Sequence, residues 1–229
     1  LTFGLLLFTL SLLAQADFYD CYSFTRADTL RGALRPERSN YDVTFYELDI
    51  KVDIKKEYLS GYVDMHYTVL DDFKTLQIDL YDNMQINNIN HRGRQLDYRR
   101  EHNAVFVTFD QVQPKGTTGK IRINYEGAPV VARNAPWDGG FVWSKDKNGN
   151  PWVGVACEGD GASLWWPNKD HLSDEPDSMA IRIAVPQSLD CIANGDLRGT
   201  KNLSNGYRRY DWFVSYPINN YNVTVNIGR

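Results

Sequence analysis

The stretch ELDIKVDIK, residues 47–55, decides the fold class of this chain. Its apolar side chains, Leu48, Ile50, Val52 and Ile54, alternate strictly with charged ones. Because successive side chains of a β-strand point to opposite faces, this pattern predicts a strand with one face on a core and the other in water. The same period of two dominates the chain after Tyr41, so the sequence predicts an all-β protein.

Further strands with the same alternation follow along the chain. They are centred on residues 63–69, 76–80, 105–109, 121–125, 179–185, 191–193, 210–216 and 223–227. The strand at 47–55 and the next two, at 63–69 and 76–80, are predicted to form an antiparallel set with short connections. Hairpin turns are predicted at HRGR (91–94), EHN (101–103), PKG (114–116) and KNGN (147–150), the last because Asn-Gly favours a tight turn.

Composition limits the classes of partner. The chain has 229 residues, 42% of them hydrophobic, which is enough to bury a sizeable core. Its 25 basic and 29 acidic residues give a net charge of −4, and no run of Lys or Arg forms a stripe that could follow phosphates. We therefore expect no nucleic-acid partner.

The first residues are typical of an export signal. Residues 1–13 are almost entirely apolar and are followed by AQA at 14–16, the small-x-small pattern of a signal-peptidase site. A buried core helix is the alternative, whereas a stable membrane span would need about 20 apolar residues. We predict a signal peptide at 1–16, a leader segment at 17–35 and a protein exported to the periplasm or the extracellular space. We also expect the sequence to be truncated at both ends.

Three cysteines, Cys21, Cys157 and Cys191, allow at most one internal disulfide. A lipid anchor at Cys21 is disfavoured, because the preceding residues, DFYD at 17–20, are not the small and aliphatic ones that such an anchor requires. Whether Cys157 and Cys191 pair is left open by the sequence.

No catalytic motif is evident. The histidines His66, His91, His102 and His171 lack the H-E-x-x-H spacing that places two zinc ligands on one helical face. The first three are predicted to be solvated. No G-x-S-x-G elbow and no glycine-rich phosphate loop occurs either. We predict that this part of the protein has no catalytic centre and binds no metal.

The densest polar cluster is DHLSDEPD, residues 170–177. A calcium or zinc loop is one reading, but the acids are not at alternating ligand positions around a central Gly. The alternative, which we prefer, is that these carboxylates cap and order a turn.

Several motifs together resemble one enzyme family. EGDGASLWWP at 158–167, followed by DEP at 174–176, is similar to a segment of the aminopeptidase N family of zinc metallo-aminopeptidases, in its bacterial branch. YDV at 41–43, ANGDL at 193–197 and YPI at 216–218 extend the resemblance over residues 36–229. It implies an amino-terminal β-domain, an antiparallel β-sandwich with saddle-shaped sheets. Zinc and catalysis would belong to a following domain of the same chain, so this part alone is expected to be inactive.

The resemblance also implies a role for Glu158. In the family, the acidic residue at this place projects into the active site of the next domain and holds the free α-amino group of the peptide substrate. An ordinary surface carboxylate is the alternative. This sequence departs from the family at Ala156, where Gln is usual, at Ser163, where Arg is common, and at Asn168, where Cys is frequent.

A binding module is the competing function. Trp143, Trp152, Trp165 and Trp166 could stack on sugar rings in a secreted carbohydrate-binding β-sandwich. We favour the alternative that these side chains pack where this domain meets the next one, since two adjacent Trp followed by Pro suit a rigid buried corner.

Overall fold

The computed structural model describes residues 23–229, so the predicted signal peptide at 1–16 and Cys21 lie outside the described residues. The chain divides into two compact units, residues 1–33 and 34–229. The described part of the first unit holds helix α1 (Arg26–Gly32), which begins with a capping box between Thr25 and Asp28. None of the described helices is long and apolar enough to cross a membrane.

The second unit begins with a short helix, α2 (Pro36–Ser39), and continues in strands. These are β1 (Tyr41–Asp53), β2 (Tyr58–Val69), β3 (Phe73–Asp79), β4 (Met84–His91), β5 (Arg94–Glu101), β6 (Ala104–Gln113), β7 (Thr118–Gly127), β8 (Gly140–Lys145), β9 (Pro151–Ala156), β10 (Ser178–Pro186), β11 (Asp190–Ala193), β12 (Asp196–Asn202), β13 (Tyr207–Val214) and β14 (Val225–Gly228). Two single 3₁₀ turns lie at Ala162–Leu164 and Asn220–Asn222. The predicted all-β class is confirmed.

The strands form two sheets. The larger has ten strands in the order β12-β13-β10-β1-β2-β7-β4-β5-β6-β3, and the smaller has the order β11-β14-β9-β8. Neighbouring strands are antiparallel except β1 and β10, which are parallel and align Ile50 with Ile183. The large sheet is therefore mixed, a feature that alternation alone does not reveal.

The apolar faces of both sheets contribute to one hydrophobic core. The predicted core face of β1 is confirmed, because Leu48, Ile50 and Val52 are all at most 1% exposed. The charged residues between them stay on the other face, so this strand anchors the large sheet between β2 and β10.

The predicted pairing of the third strand is wrong. β3 is antiparallel to β6 at one edge of the large sheet. The side of β2 that does not face β1 pairs over ten residues with β7 instead. For the same reason the PKG turn does not close a hairpin, since β6 and β7 are not neighbours. The other three predicted hairpin turns are confirmed, at residues 91–94, 101–104 and 145–151.

Candidate functional site

Glu158 lies in a loop, residues 157–161, between β9 and the 3₁₀ turn at Ala162–Leu164. Its side chain is exposed. Gly159 and Gly161 on either side of Asp160 have φ angles of 68° and 82°, a conformation that only glycine adopts without strain. The glycines of the motif thus shape a sharp loop with a carboxylate near its start.

The loop is tied down on both sides. The Asp160 carboxylate accepts hydrogen bonds from the Tyr81 hydroxyl at 2.6 Å and from the Gly139 backbone N–H at 3.2 Å. On the other side the Asp170 carboxylate accepts from the Ser163 backbone N–H at 2.9 Å. These bonds fix the backbone on which the Glu158 side chain is carried.

Tyr221 contacts Glu158 directly, and its hydroxyl donates a hydrogen bond to the Glu158 carboxylate. This bond raises the pKa of the Tyr221 hydroxyl, because the neutral phenol is the donor. Tyr221 belongs to the Asn220–Asn222 turn, whose buried Asn220 donates to the Lys169 carbonyl at 3.0 Å. Sequence reasoning missed Tyr221, which is 63 residues away and carries no motif of its own.

A buried ion pair lies at the base of this region. Lys169 Nζ donates to Asp174 Oδ2 at 2.5 Å and to the Tyr41 carbonyl at 2.6 Å. Asp174 also accepts from the Val43 backbone N–H at 3.1 Å. These contacts attach residues 169–174 to β1, and they confirm that Asp170 and Asp174 of the DHLSDEPD cluster order the chain.

A second buried pair joins Arg38 and Asp79, with 2.7 Å between guanidinium and carboxylate. Gln77 donates to the same carboxylate at 2.8 Å, and the Asp170 backbone N–H donates at 3.1 Å. Burial nevertheless raises the pKa of Asp79 to about 6, against the opposing effect of Arg38. Asp79 therefore connects α2 and β3 to the segment that follows the Glu158 loop.

Solved structures similar to this chain include M1 zinc metallopeptidases. The M1 zinc metallopeptidase from Deinococcus radiodurans matches with a TM-score of 0.68 at 20% identity, over 82% of this chain and 42% of that chain. A mutant of it bound to a Tyr-Ser-Ala substrate matches with a TM-score of 0.70 at 22% identity, over the same shares. This chain has the M1 metallopeptidase fold. The resemblance seen in the sequence is confirmed at this level, and the chain spans less than half of the matched structures.

A two-domain M1 zinc metallopeptidase mutant bound to L-arginine also matches, with a TM-score of 0.68 at 21% identity. It covers 82% of this chain and 42% of that chain. No protein-family model matches the sequence, and no curated protein matches it either.

Two of the positions that depart from the family are internally satisfied in this M1 fold. Ser163 is buried, and its carbonyl accepts from the Tyr81 backbone N–H at 2.9 Å. Asn168 is fully buried and donates to the Trp166 carbonyl at 2.8 Å. The third, Ala156, is partly exposed at the end of β9. The loop is thus held by its own bonds, without the side chains that the family more often has there.

Two tryptophans contribute to the core rather than to a surface. Trp165 and Trp166 are 1% and 0% exposed and pack edge-to-face with Phe141 and Tyr46 respectively. The expectation that they pack against a following domain is wrong, because the space around them is filled by this domain. The predicted rigid buried corner is confirmed. Trp152 is 44% exposed.

The histidines and cysteines form no metal site in the part of the chain that the structure describes, where no three His, Cys, Asp or Glu side chains gather. His91, predicted to be solvated, is buried, with Nδ1 at 3.0 Å from the Lys120 carbonyl. Cys157 and Cys191 are buried and unpaired, and burial raises the pKa of each thiol to about 12. Neither thiol is activated as a nucleophile or a ligand.

Proposed function

We propose that this chain is the amino-terminal β-domain of an exported zinc aminopeptidase and that Glu158 binds the free α-amino group of the peptide substrate. The observation that carries the proposal is an exposed carboxylate on a loop held by partly buried hydrogen bonds, within an M1 metallopeptidase fold. Zinc and hydrolysis would belong to a catalytic domain of the same protein, because the matching structures are zinc metallopeptidases of which this chain covers only 42%.

The chemistry of the loop suits an ammonium group. Tyr221 donates to Oε2 of Glu158, which leaves Oε1 open to a second donor. A carboxylate bonded to an ammonium makes one of the stronger charge-assisted hydrogen bonds, and a fixed one loses little entropy when substrate binds. An internal peptide segment has no free ammonium, so such an anchor favours removal of amino-terminal residues.

The proposal predicts a specific kinetic defect. In the full-length enzyme, Glu158→Gln keeps the shape of the side chain and removes its charge. We expect kcat/KM for an aminoacyl anilide to fall about 10- to 100-fold, because a hydrogen bond to a charged group contributes about 1.5–3 kcal/mol. Steady-state kinetics at several substrate concentrations measure the change.

Glu57→Gln is the matched control, since Glu57 is also exposed, in the turn between β1 and β2. It should leave the kinetics unchanged. Equal values of kcat/KM for Glu158→Gln and the wild type would remove Glu158 from the substrate site.

The carbohydrate-binding alternative loses two of its four candidate tryptophans, whereas Trp152 is 44% exposed. This alternative requires exposed aromatic faces, and the adjacent pair Trp165 and Trp166 lies in the core.

A further inference from the structure

A cavity of about 490 Å³ lies between β1, β2, β7 and the hairpin that joins β4 to β5. Thr44 lines it from β1, at a register shift between Val43 and Phe45 in the pairing with β2. Such bulges redirect a side chain and are frequent beside functional sites. Arg92 lines it from the β4–β5 turn, in the left-handed conformation at φ 49°.

The charges at this cavity are predominantly positive. The Lys120 ammonium lies 3.0 Å from the Asp64 carboxylate, but Arg122 occupies both oxygens of that carboxylate, at 2.6 and 2.7 Å. One negative charge is thus shared between two cations. The exposed Arg92 forms no ion pair with a carboxylate of the described residues, so it adds a second positive charge.

His66 is a further titratable group at the cavity. The pKa of His66 is lowered by burial and by the nearby Lys120, against the opposing effects of Asp64 and Glu47. A neutral imidazole can donate one N–H bond.

One of the lining residues, Tyr67, carries a buried donor without a partner. Tyr67 is 1% exposed, and its hydroxyl has no hydrogen-bond partner. The ring fits beneath Gly119, where a Cβ would lie only 2.4 Å from the hydroxyl oxygen. Most buried polar groups in proteins are paired, so a lone one at a cavity is a reason to look for a ligand.

We propose that this cavity binds a small oxyanion of the phosphate class, either free phosphate or a soluble phosphomonoester. Arg92 and Lys120 supply the positive charge, and the hydroxyls of Thr44, Thr118 and Tyr67 supply further donors. Donors contributed by three strands and the β4–β5 turn suit a tetrahedral anion with several acceptor oxygens better than a planar carboxylate. This proposal does not depend on the role of Glu158.

Calorimetric titration of the purified chain with inorganic phosphate tests the site, against chloride at constant ionic strength. We expect saturable phosphate binding by the wild type. Arg92→Gln should weaken it at least tenfold through loss of a charged donor, and Tyr67→Phe roughly tenfold through loss of one bond to a charged ligand. Arg94→Gln is the matched control, because Arg94 lies on the same hairpin, is 81% exposed and is outside the cavity.

Additional measurements distinguish a soluble phosphate ligand from a lipid headgroup and from a purely structural role of Tyr67. Glycerol phosphate should bind like phosphate, whereas binding to anionic phospholipid vesicles without binding to phosphate would overturn the proposal. If the Tyr67 hydroxyl is only an unsatisfied core group, Tyr67→Phe will raise the melting temperature and leave phosphate affinity unchanged. That result, or full affinity in Arg92→Gln, also rejects the site. Arg92 is exposed, so its replacement should not disturb folding.

Discussion

Asp79 is a carboxylate at which burial and pairing oppose each other. Arg38, Gln77 and the Asp170 backbone N–H all favour its ionised form, yet removal from water disfavours that form more and raises its pKa from 3.8 to about 6. A buried pair of this kind is weak evidence for net stability, because the cost of removing both charges from water offsets their attraction. Here it connects α2 and β3 to the segment after the Glu158 loop.

This pKa predicts how stability depends on pH. Because the folded state binds the Asp79 proton more tightly than the unfolded state does, the contribution of Asp79 is fully present below pH 3.8 and is lost as the pH rises through about 6. Asp79→Asn has no such proton. The difference in unfolding free energy, wild type minus variant, should fall by about 2 kcal/mol between about pH 4 and about pH 7.

Urea denaturation of both proteins across this pH range measures the difference. The variant leaves Arg38 without its carboxylate at every pH, so its absolute loss of stability is not the test. A difference that stays constant, or that rises with pH, would show that pairing with Arg38 outweighs burial.

At the scale of single elements, the stability lost on changing a glycine in the loop of residues 157–161 depends on which glycine is changed. Gly161→Ala would place a Cβ 2.3 Å from Asp170 Oδ2, the atom that accepts from the Ser163 N–H, and it would strain a residue at φ 82°. We expect a loss of about 2–3 kcal/mol of unfolding free energy, because strain and the broken bond add. Chemical denaturation measures this loss.

Gly159→Ala is the control within the same loop. Its φ is 68°, but no atom lies within 4 Å of the added Cβ. Gly159→Ala should lower the unfolding free energy by only about 1 kcal/mol, the cost of holding alanine in the left-handed conformation. Equal losses for the two variants would mean that the contact with Asp170 does not hold the loop.

Elements also show how far sequence reasoning reaches. Alternation found β1 and β10, because strands with one buried face carry their period in the sequence. It missed β12, a polar edge strand with little to bury, and it paired β3 wrongly, since a period of two does not specify which edge a strand joins. It placed His91 in water because a turn position does not reveal the aromatic ring of Phe109 beside it.

The candidate site was predictable only in part. Glu158 is a candidate from the sequence because its loop carries a recognisable motif, and its role stays a prediction. Its partner Tyr221 could not be found, because their contact joins residues 63 positions apart that only the folded chain brings together. The burial of Trp165 and Trp166 was likewise anticipated as a rigid corner, but what fills the space around them depends on the packing of both sheets.

For the whole molecule, the parallel pair β1–β10 links two parts of the chain that are far apart in sequence. It aligns residues 45–51 with 178–184, and the core on one side of it is continuous with that of the smaller sheet. A continuous core predicts that residues 34–229 unfold in a single transition. Ile183, fully buried between Ile50 of β1 and Tyr210 of β13, is the position to test.

Ile183→Ala should lower the unfolding free energy by about 2–5 kcal/mol, the usual cost of a cavity in a packed core. Ile192→Ala, on β11 with 61% of the residue exposed, should cost less than about 1 kcal/mol. Far-ultraviolet circular dichroism follows the strands, and tryptophan fluorescence, recorded with the other four Trp replaced by Phe in wild type and variants alike, follows buried Trp165 and Trp166. If both probes shift together in Ile183→Ala, the two sheets unfold as one unit. If the fluorescence midpoint stays in place while the dichroism midpoint falls, the Trp corner is a separate cooperative unit, and the loop carrying Glu158 can keep its shape independently of the β1–β10 pair.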